Sequence, residues 1–138
     1  MTAMKAGIYS RISTSDQQTL EMQSETCRNY IKARGWKTVL EVSEIGSGAK
    51  NDRPKRKIII DAYKKREIGA VVVWKLDRWG RSTVDLINSF QEMQELGIAF
   101  VSITEALDFS TSGGKALAGM LAIFSNFERD ILKERVKA

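Results

Sequence analysis

Histidine is absent from this chain of 138 residues. That absence excludes a Ser-His-Asp or Cys-His nucleophile system and any histidine-based metal site. The single cysteine, Cys27, excludes an internal disulfide and fits a reducing, cytoplasmic setting. Cys27 falls on the apolar side of a predicted helix, where it reads as a small core residue. No apolar run approaches the ~20 residues that a membrane span needs. The N-terminus lacks the long apolar region of a secretory signal, so no membrane association is expected. There is no internal repeat and no low-complexity linker, and the length suits one domain over residues 1–138.

Positive charge is in excess, with 22 Lys and Arg against 17 Asp and Glu and a net charge of +5. A basic balance favours polyanionic partners such as nucleic acid or a membrane surface. The distribution of that charge says more than its sum. Val71-Val72-Val73 reads as a strand buried on both faces. Lys75, Asp77, Arg78 and Arg81 follow directly, and a helix begins. In open α/β sheets, ligands sit outside the carboxyl ends of such strands. Three cations against one acid predict an anionic ligand, with phosphate the commonest candidate.

The rest of the chain alternates between strand and helix patterns. Lys5 to Ser10 reads as a first strand, and Tyr9, Arg11 and Ser13 share a face while the chain stays extended. Ser13-Thr14-Ser15-Asp16 is rich in helix-capping types. A helix from about Gln17 to Arg34 follows, stopped by Gly35. Trp36 to Ser43 reads as a second strand. Gly46 to Asn51 is a polar glycine loop. Asp52 caps a helix with Pro54 in its first turn, running to about Glu67 with Ile58, Ile59, Ala62 and Tyr63 as its apolar stripe. Its basic residues, Arg56 among them, read as a solvated face. Ala70 to Trp74 is a third strand. Ser82-Thr83-Val84-Asp85 resembles a capping box and opens a helix that ends at Gly97. Ile98 to Ile103 is a fourth strand, and a short edge strand is predicted around Leu107-Asp108-Phe109. From about Lys115 to Ala138 a long helix is predicted, roughly 36 Å at ~1.5 Å per residue. Its apolar stripe is wider than one packing face requires, which suggests a partner helix from another subunit. The fold class is therefore α/β, with a mostly parallel central sheet, helices on both faces and a long C-terminal helix.

Three segments converge at one end of this sheet. The first strand delivers Tyr9, Arg11 and Ser13, the glycine loop delivers Arg53, and the third strand delivers Lys75, Asp77, Arg78 and Arg81. On a continuous helix, Asp77, Arg78 and Arg81 would share one face. Arginines around a hydroxyl suit attack on a phosphodiester. Guanidinium groups hold phosphoryl oxygens bidentately without changing protonation state, so no metal is needed. The base that takes the serine proton stays open between Asp77, an arginine-assisted relay and water. Asp77 between arginines is a weak base and a good organiser of their positions. Trp74 and Trp79 are expected to fill the gap between strand and helix.

Taken in order, Tyr9-Ser10-Arg11-Ile12-Ser13-Thr14-Ser15-Asp16-Gln17, Leu20-Glu21-Met22-Gln23, Gly46-Ser47-Gly48 through Asp52-Arg53, Lys75-Leu76-Asp77-Arg78-Trp79-Gly80-Arg81 and Glu128-Arg129 through Glu134-Arg135 resemble the motifs of the serine recombinases of the resolvase/invertase type. The resemblance covers nearly the whole chain. It implies that Ser13 is the nucleophile on a DNA phosphate, forming a 5′-phosphoserine link and freeing a 3′-hydroxyl. It implies that Arg11, Arg53, Arg78 and Arg81 hold the scissile phosphate and that Asp77 orders them. Lys75, Tyr9 and Gln23 match supporting positions, while Arg129 and Arg135 match positions near DNA on the long helix. It further implies double-stranded DNA as partner, a homodimer through the C-terminal helix, a tetramer on synapsis, and rejoining without a cofactor or metal. Integration, inversion, resolution and transposition all remain open. Members of this family carry a separate DNA-binding domain that is not part of residues 1–138, and Trp79 stands where leucine is frequent.

Two other readings compete. One is a metal-dependent nuclease using Asp52, Asp77 or Glu44 with Lys75. The other is a phosphate- or nucleotide-binding module without catalysis.

Overall fold

The computed structural model describes residues 3–12, 17–45, 54–80 and 82–109, apart from the side chains of Gln17, Gln18, Asp77 and Thr83. The predicted C-terminal helix, with Arg129 and Arg135, lies outside the described residues. So do Ser13, Arg53 and Arg81.

Five strands form one sheet: β1 (Lys5–Ile12), β2 (Lys37–Ile45), β3 (Ala70–Val73), β4 (Ala99–Ser102) and β5 (Leu107–Asp108). Their order is β2-β1-β3-β4-β5. The first four run parallel, and β5 returns antiparallel to β4. Between them lie α1 (Gln17–Ala33), α2 (Arg56–Lys64), α3 (Leu76–Trp79) and α4 (Thr83–Leu96).

Period-two alternation divides the core into two layers. Ala6, Ile8, Ala70, Val72, Ala99 and Val101 pack with Cys27 and Ile31 of α1. Tyr9, Val71, Val73 and Phe100 pack with Ile59 and Tyr63 of α2, Trp79 of α3, and Phe90 and Met93 of α4. All four residues of β3 are buried, as its run of valines predicts. Helices cover both faces, so the mixed α/β architecture read from the sequence holds.

Several boundaries differ from expectation. The first two strands run on to Ile12 and Ile45, because each lies beside the other for its whole length (Lys5 opposite Lys37 through Ile12 opposite Ile45). The second helix starts later than predicted. Pro54 sits in a turn, Lys55 is the N-cap residue and α2 begins at Arg56. The burial stripe of α2 is Arg56, Ile59, Ala62 and Tyr63, whereas Ile58 is about half exposed at 49%.

Helix endings follow one pattern. Gly35 donates to the Lys32 carbonyl (3.0 Å) and Trp36 to Ile31 (3.0 Å), closing α1 with Gly35 at φ +74°. Gly97 closes α4 in the same way at φ +73°. At the end of α2 the left-handed position is Arg66, at φ +63°, with Glu67 donating to Ala62 (2.9 Å). A side chain there costs ~1–2 kcal/mol relative to glycine. Arg66 offsets part of this through its guanidinium, which donates to the Leu96 carbonyl. Arg66→Gly should therefore raise stability by ~0.5–1 kcal/mol, read as a rise in thermal midpoint. An unchanged or lower midpoint would count against this account of the turn.

Cys27 is fully buried on the α1 face. Burial, aided by the charge of Glu41 and opposed by Arg28, pushes its thiol from 9.0 up to about 12. The folded chain thus keeps its proton where the unfolded chain has lost it. Stability should fall as pH rises from about 9 towards 12, by at most ~1.4 kcal/mol per pH unit from this group. Cys27→Ala should flatten that slope in denaturant titrations at pH 8 to 11. In the wild-type protein, thiol reagents should modify Cys27 only on unfolding, since the native thiol is shielded.

Candidate active site

Strand order fixes where a ligand can bind. From β1 the chain passes to β2 on one side, then crosses to β3 on the other. This reversal leaves a crevice outside the carboxyl ends of β1 and β3, the usual binding place in open parallel sheets. Arg11 stands at the end of β1. Lys75, Asp77 and Arg78 come immediately after β3. Ile8 is opposite Val72, and Arg11 and Lys75 each lie three residues further along. The two cations therefore leave the sheet at the same level.

A separate one-turn helix, not resolved as its own element in the sequence reading, shapes this end of the sheet. Lys75 is the extended N-cap residue of α3, which lasts one turn. Trp79 at its end is fully buried and meets Tyr9 edge-on at 5.5 Å and Phe100 at 6.1 Å. Trp74, just before it, packs against the opposite, α1-side layer. The turn therefore straddles the sheet edge with one indole in each layer, the gap-filling role expected of both tryptophans. The Lys75 ammonium lies 4.7 Å and the Arg78 guanidinium 5.8 Å from the Trp74 ring centre. Each cation gains from the quadrupole of this indole.

The helix that carries Asp77 and Arg78 does not continue through Gly80, and Arg81 lies outside the described residues. α3 ends at Trp79, and Gly80 is extended at φ −87°, ψ 145°. A Cβ on Gly80 would lie 2.2 Å from Cγ of Leu86, so the side-chain-free residue lets α4 close on the turn. Ser82 then caps α4, its hydroxyl accepting from the Asp85 backbone N–H at 3.1 Å, as the capping pattern predicts.

Tyr9 does not line the crevice. Its ring is in the core, and its hydroxyl donates to Glu44 at 2.5 Å. Glu44, buried at the end of β2, also accepts from the Lys55 backbone N–H at 3.0 Å. This carboxylate joins β1, β2 and the entry to α2. Gln23 is fully buried on α1, and among the described residues neither polar atom of its amide has a hydrogen-bond partner. The turn after β4 braces the site from the other side. Glu105 accepts from the Leu76 N–H (3.3 Å), from Thr104 Oγ1 (3.1 Å) and from Ser102 Oγ. The single Thr104 hydroxyl proton is shared between the Trp74 carbonyl, the nearer acceptor at 2.8 Å, and Glu105.

The described part of the site thus brings Arg11, Lys75 and Arg78 to one crevice, while Tyr9 and Gln23 are buried in the interior. The expectation that Arg78 and Arg81 face Ser13, and the roles of Arg53 and the Asp77 side chain, fall on residues and side chains outside the description. The sequence reading missed Glu44 as an organiser, Glu105 as a brace and Arg56 as a buried residue. Only Arg56 carried a signal. Positions 56, 59 and 63 follow helical spacing, so the arginine sits on the apolar stripe and not on the solvated face. Among the described residues no group of three Cys, Asp or Glu side chains is placed to hold a metal ion. Glu44, one acid of the nuclease reading, is already committed to Tyr9 and Lys55.

Residues 6–138 match the family model for the resolvase N-terminal domain. The chain is 37% identical over 130 residues to the Tn917 transposon resolvase of Enterococcus faecalis, covering 94% of this chain and 66% of that protein. It is 35% identical over 130 residues to the serine recombinase gin of Escherichia phage Mu, covering 94% and 63%. It spans just under two thirds of the length of these relatives. Among solved structures, the N-terminal catalytic domain of TP901-1 integrase superposes with a TM-score of 0.81 at 29% identity, covering 92% of this chain and 98% of that one. A resolvase-family site-specific recombinase from Streptococcus pneumoniae shares the fold, with a TM-score of 0.80 at 22% identity and coverage of 97% and 93%.

Proposed function

The chain belongs to the resolvase family, and on that premise we propose that it is the strand-cutting and rejoining unit of a site-specific DNA recombinase. The reading rests on one observation above others. Arg11 and the Lys75–Arg78 turn converge at the switch point of the sheet, from strands far apart in sequence. Such a cationic crevice holds a phosphodiester and stabilises charge as it builds on the phosphoryl oxygens. Ser13, two residues past Arg11, attacks the phosphorus. A 5′-phosphoserine bond forms and the 3′-oxygen leaves as the hydroxyl. Rejoining reverses the step on a new 3′-hydroxyl. The covalent bond conserves the energy of the broken phosphodiester, which explains a protein nucleophile in place of water. Arg53, Arg78 and Arg81 complete the phosphate grip, Asp77 orders them, and Lys75, Tyr9 and Gln23 support them. Arg129 and Arg135 approach DNA along the C-terminal helix, through which two copies pair before two pairs synapse.

Trapping tests the proposal. The full-length protein, mixed with a nicked duplex carrying its recombination site, should form a protein–DNA adduct that survives denaturation. EDTA should leave the yield unchanged, because arginines supply the positive charge. Hydrolytic cleavage that leaves no adduct and stops with EDTA would replace this reading with the metal-dependent nuclease.

A further inference from the structure

The Arg56 guanidinium differs from the arginines assigned to the phosphate, because it is turned away from solvent and makes three hydrogen bonds within the protein. It is 8% exposed. Nη1 donates to Asp85 Oδ2 at 2.7 Å and Nη2 to Asp85 Oδ1 at 3.1 Å, a two-point pair across to α4. Nη1 also donates to the Trp79 carbonyl at 3.1 Å. The guanidinium carbon lies 5.2 Å from the Trp79 ring centre. One residue therefore grips the last turn of α3 by its backbone and its indole, and the first turn of α4 by its acid.

The grip falls at an informative place. Trp79 follows Arg78 directly, and Gly80, in an extended conformation, breaks the helix behind it. A one-turn helix has little stability of its own. α3 is held at one end by Glu105 and the Trp74 packing, and at the other by Arg56. We propose that Arg56 is a positioning residue: through the Trp79 carbonyl and Asp85 it fixes the angle at which the α3 turn presents Arg78 to the bound phosphodiester. The inference rests on the recombinase reading of the same crevice and adds to it a residue that touches no reacting atom.

Removing one partner alone strands the other as a buried charge, so Arg56→Met is a poor single test. Replacing both by apolar groups of similar size often preserves stability. The informative variant is therefore Arg56→Met with Asp85→Leu in the full-length protein. Its thermal midpoint should recover towards wild type. Its rate of adduct formation at saturating nicked DNA should stay at least ~30-fold below wild type, because a small misplacement of a charge donor costs about that much or more. Hydrogen exchange gives a second reading that does not depend on catalysis. The Arg78 and Gly80 amides, bonded to Lys75 (3.1 Å) and Leu76 (3.1 Å), should exchange at least ~10-fold faster in the double variant, with β3 amides unchanged. A double variant that regains both stability and rate overturns the proposal. So does one whose Arg78 and Gly80 amides keep wild-type protection. If wild type itself forms no adduct, the recombinase reading fails, and the exchange measurement alone decides whether the clamp holds the turn.

Discussion

Ser13→Ala is expected to abolish the covalent adduct, with adduct formation falling by at least ~10⁴-fold while the protein still folds and binds DNA. The size of the effect follows from the loss of the attacking oxygen, which no thiol, imidazole or phenol among the described residues is placed to replace. The chain has no histidine. Its one thiol is buried, with its proton held up to about 12. Tyr9 is closest in sequence to the site, but its hydroxyl is tied to Glu44 inside the core. The Tyr63 hydroxyl is bonded to Glu92 at 3.0 Å and is pushed well above its ordinary pKa, chiefly by burial and then by the Glu92 charge. Tyr30 lies beside Arg34 and Asp108, on β5 at the sheet edge. None of these groups can take over at the switch point. An adduct that persisted in Ser13→Ala at wild-type yield would sink the assignment of the nucleophile, and mapping the adducted peptide would identify its replacement.

Arg78→Ala should lower the single-turnover cleavage rate by ~10²–10³-fold, the usual loss for removing one preorganised charge donor. DNA affinity should fall far less, since most of it comes from many dispersed phosphate contacts. Arg78→Lys should recover only part of the rate. An ammonium keeps the charge but cannot hold two phosphoryl oxygens in one plane, and it stacks less well over Trp74. Equal losses in binding and cleavage for Arg78→Ala would mean that the residue grips DNA generally and has no special role at the reacting phosphate.

Much of the architecture is legible in the sequence because it depends on short-range rules. The three valines of β3, the caps at Ser82, Gly35 and Gly97, and the apolar stripes of α1 and α4 each speak for themselves. The convergence of Arg11 with Lys75 and Arg78 also follows once the strands are parallel. What escaped depends on pairs distant in the chain. Nothing local to Lys75–Trp79 announces a helix of one turn, whose contacts with Glu105 and Arg56 come from residues distant in the chain. Glu44 looks like any strand-end carboxylate until Tyr9 is placed beside it. The break at Gly80 was equally hidden, because the need there for a residue without a side chain arises from Leu86, six positions later.

The position of β1 sets a problem of timing. Of the strands of this sheet it is synthesised first, and it ends as an interior strand with β2 and β3 on either side. β2 ends at Ile45 and β3 at Val73. At ~5–20 residues per second, several seconds separate the emergence of β1 from that of its second partner. During that interval a strand of mostly apolar residues has one edge unsatisfied. Parallel pairings of this kind carry a high loop-closure cost and form slowly. The nascent chain is therefore most open to aggregation or chaperone capture between the appearance of β2 and that of β3. Substitutions that weaken β3 should lower the yield of soluble protein more than they lower the stability of the molecules that do fold.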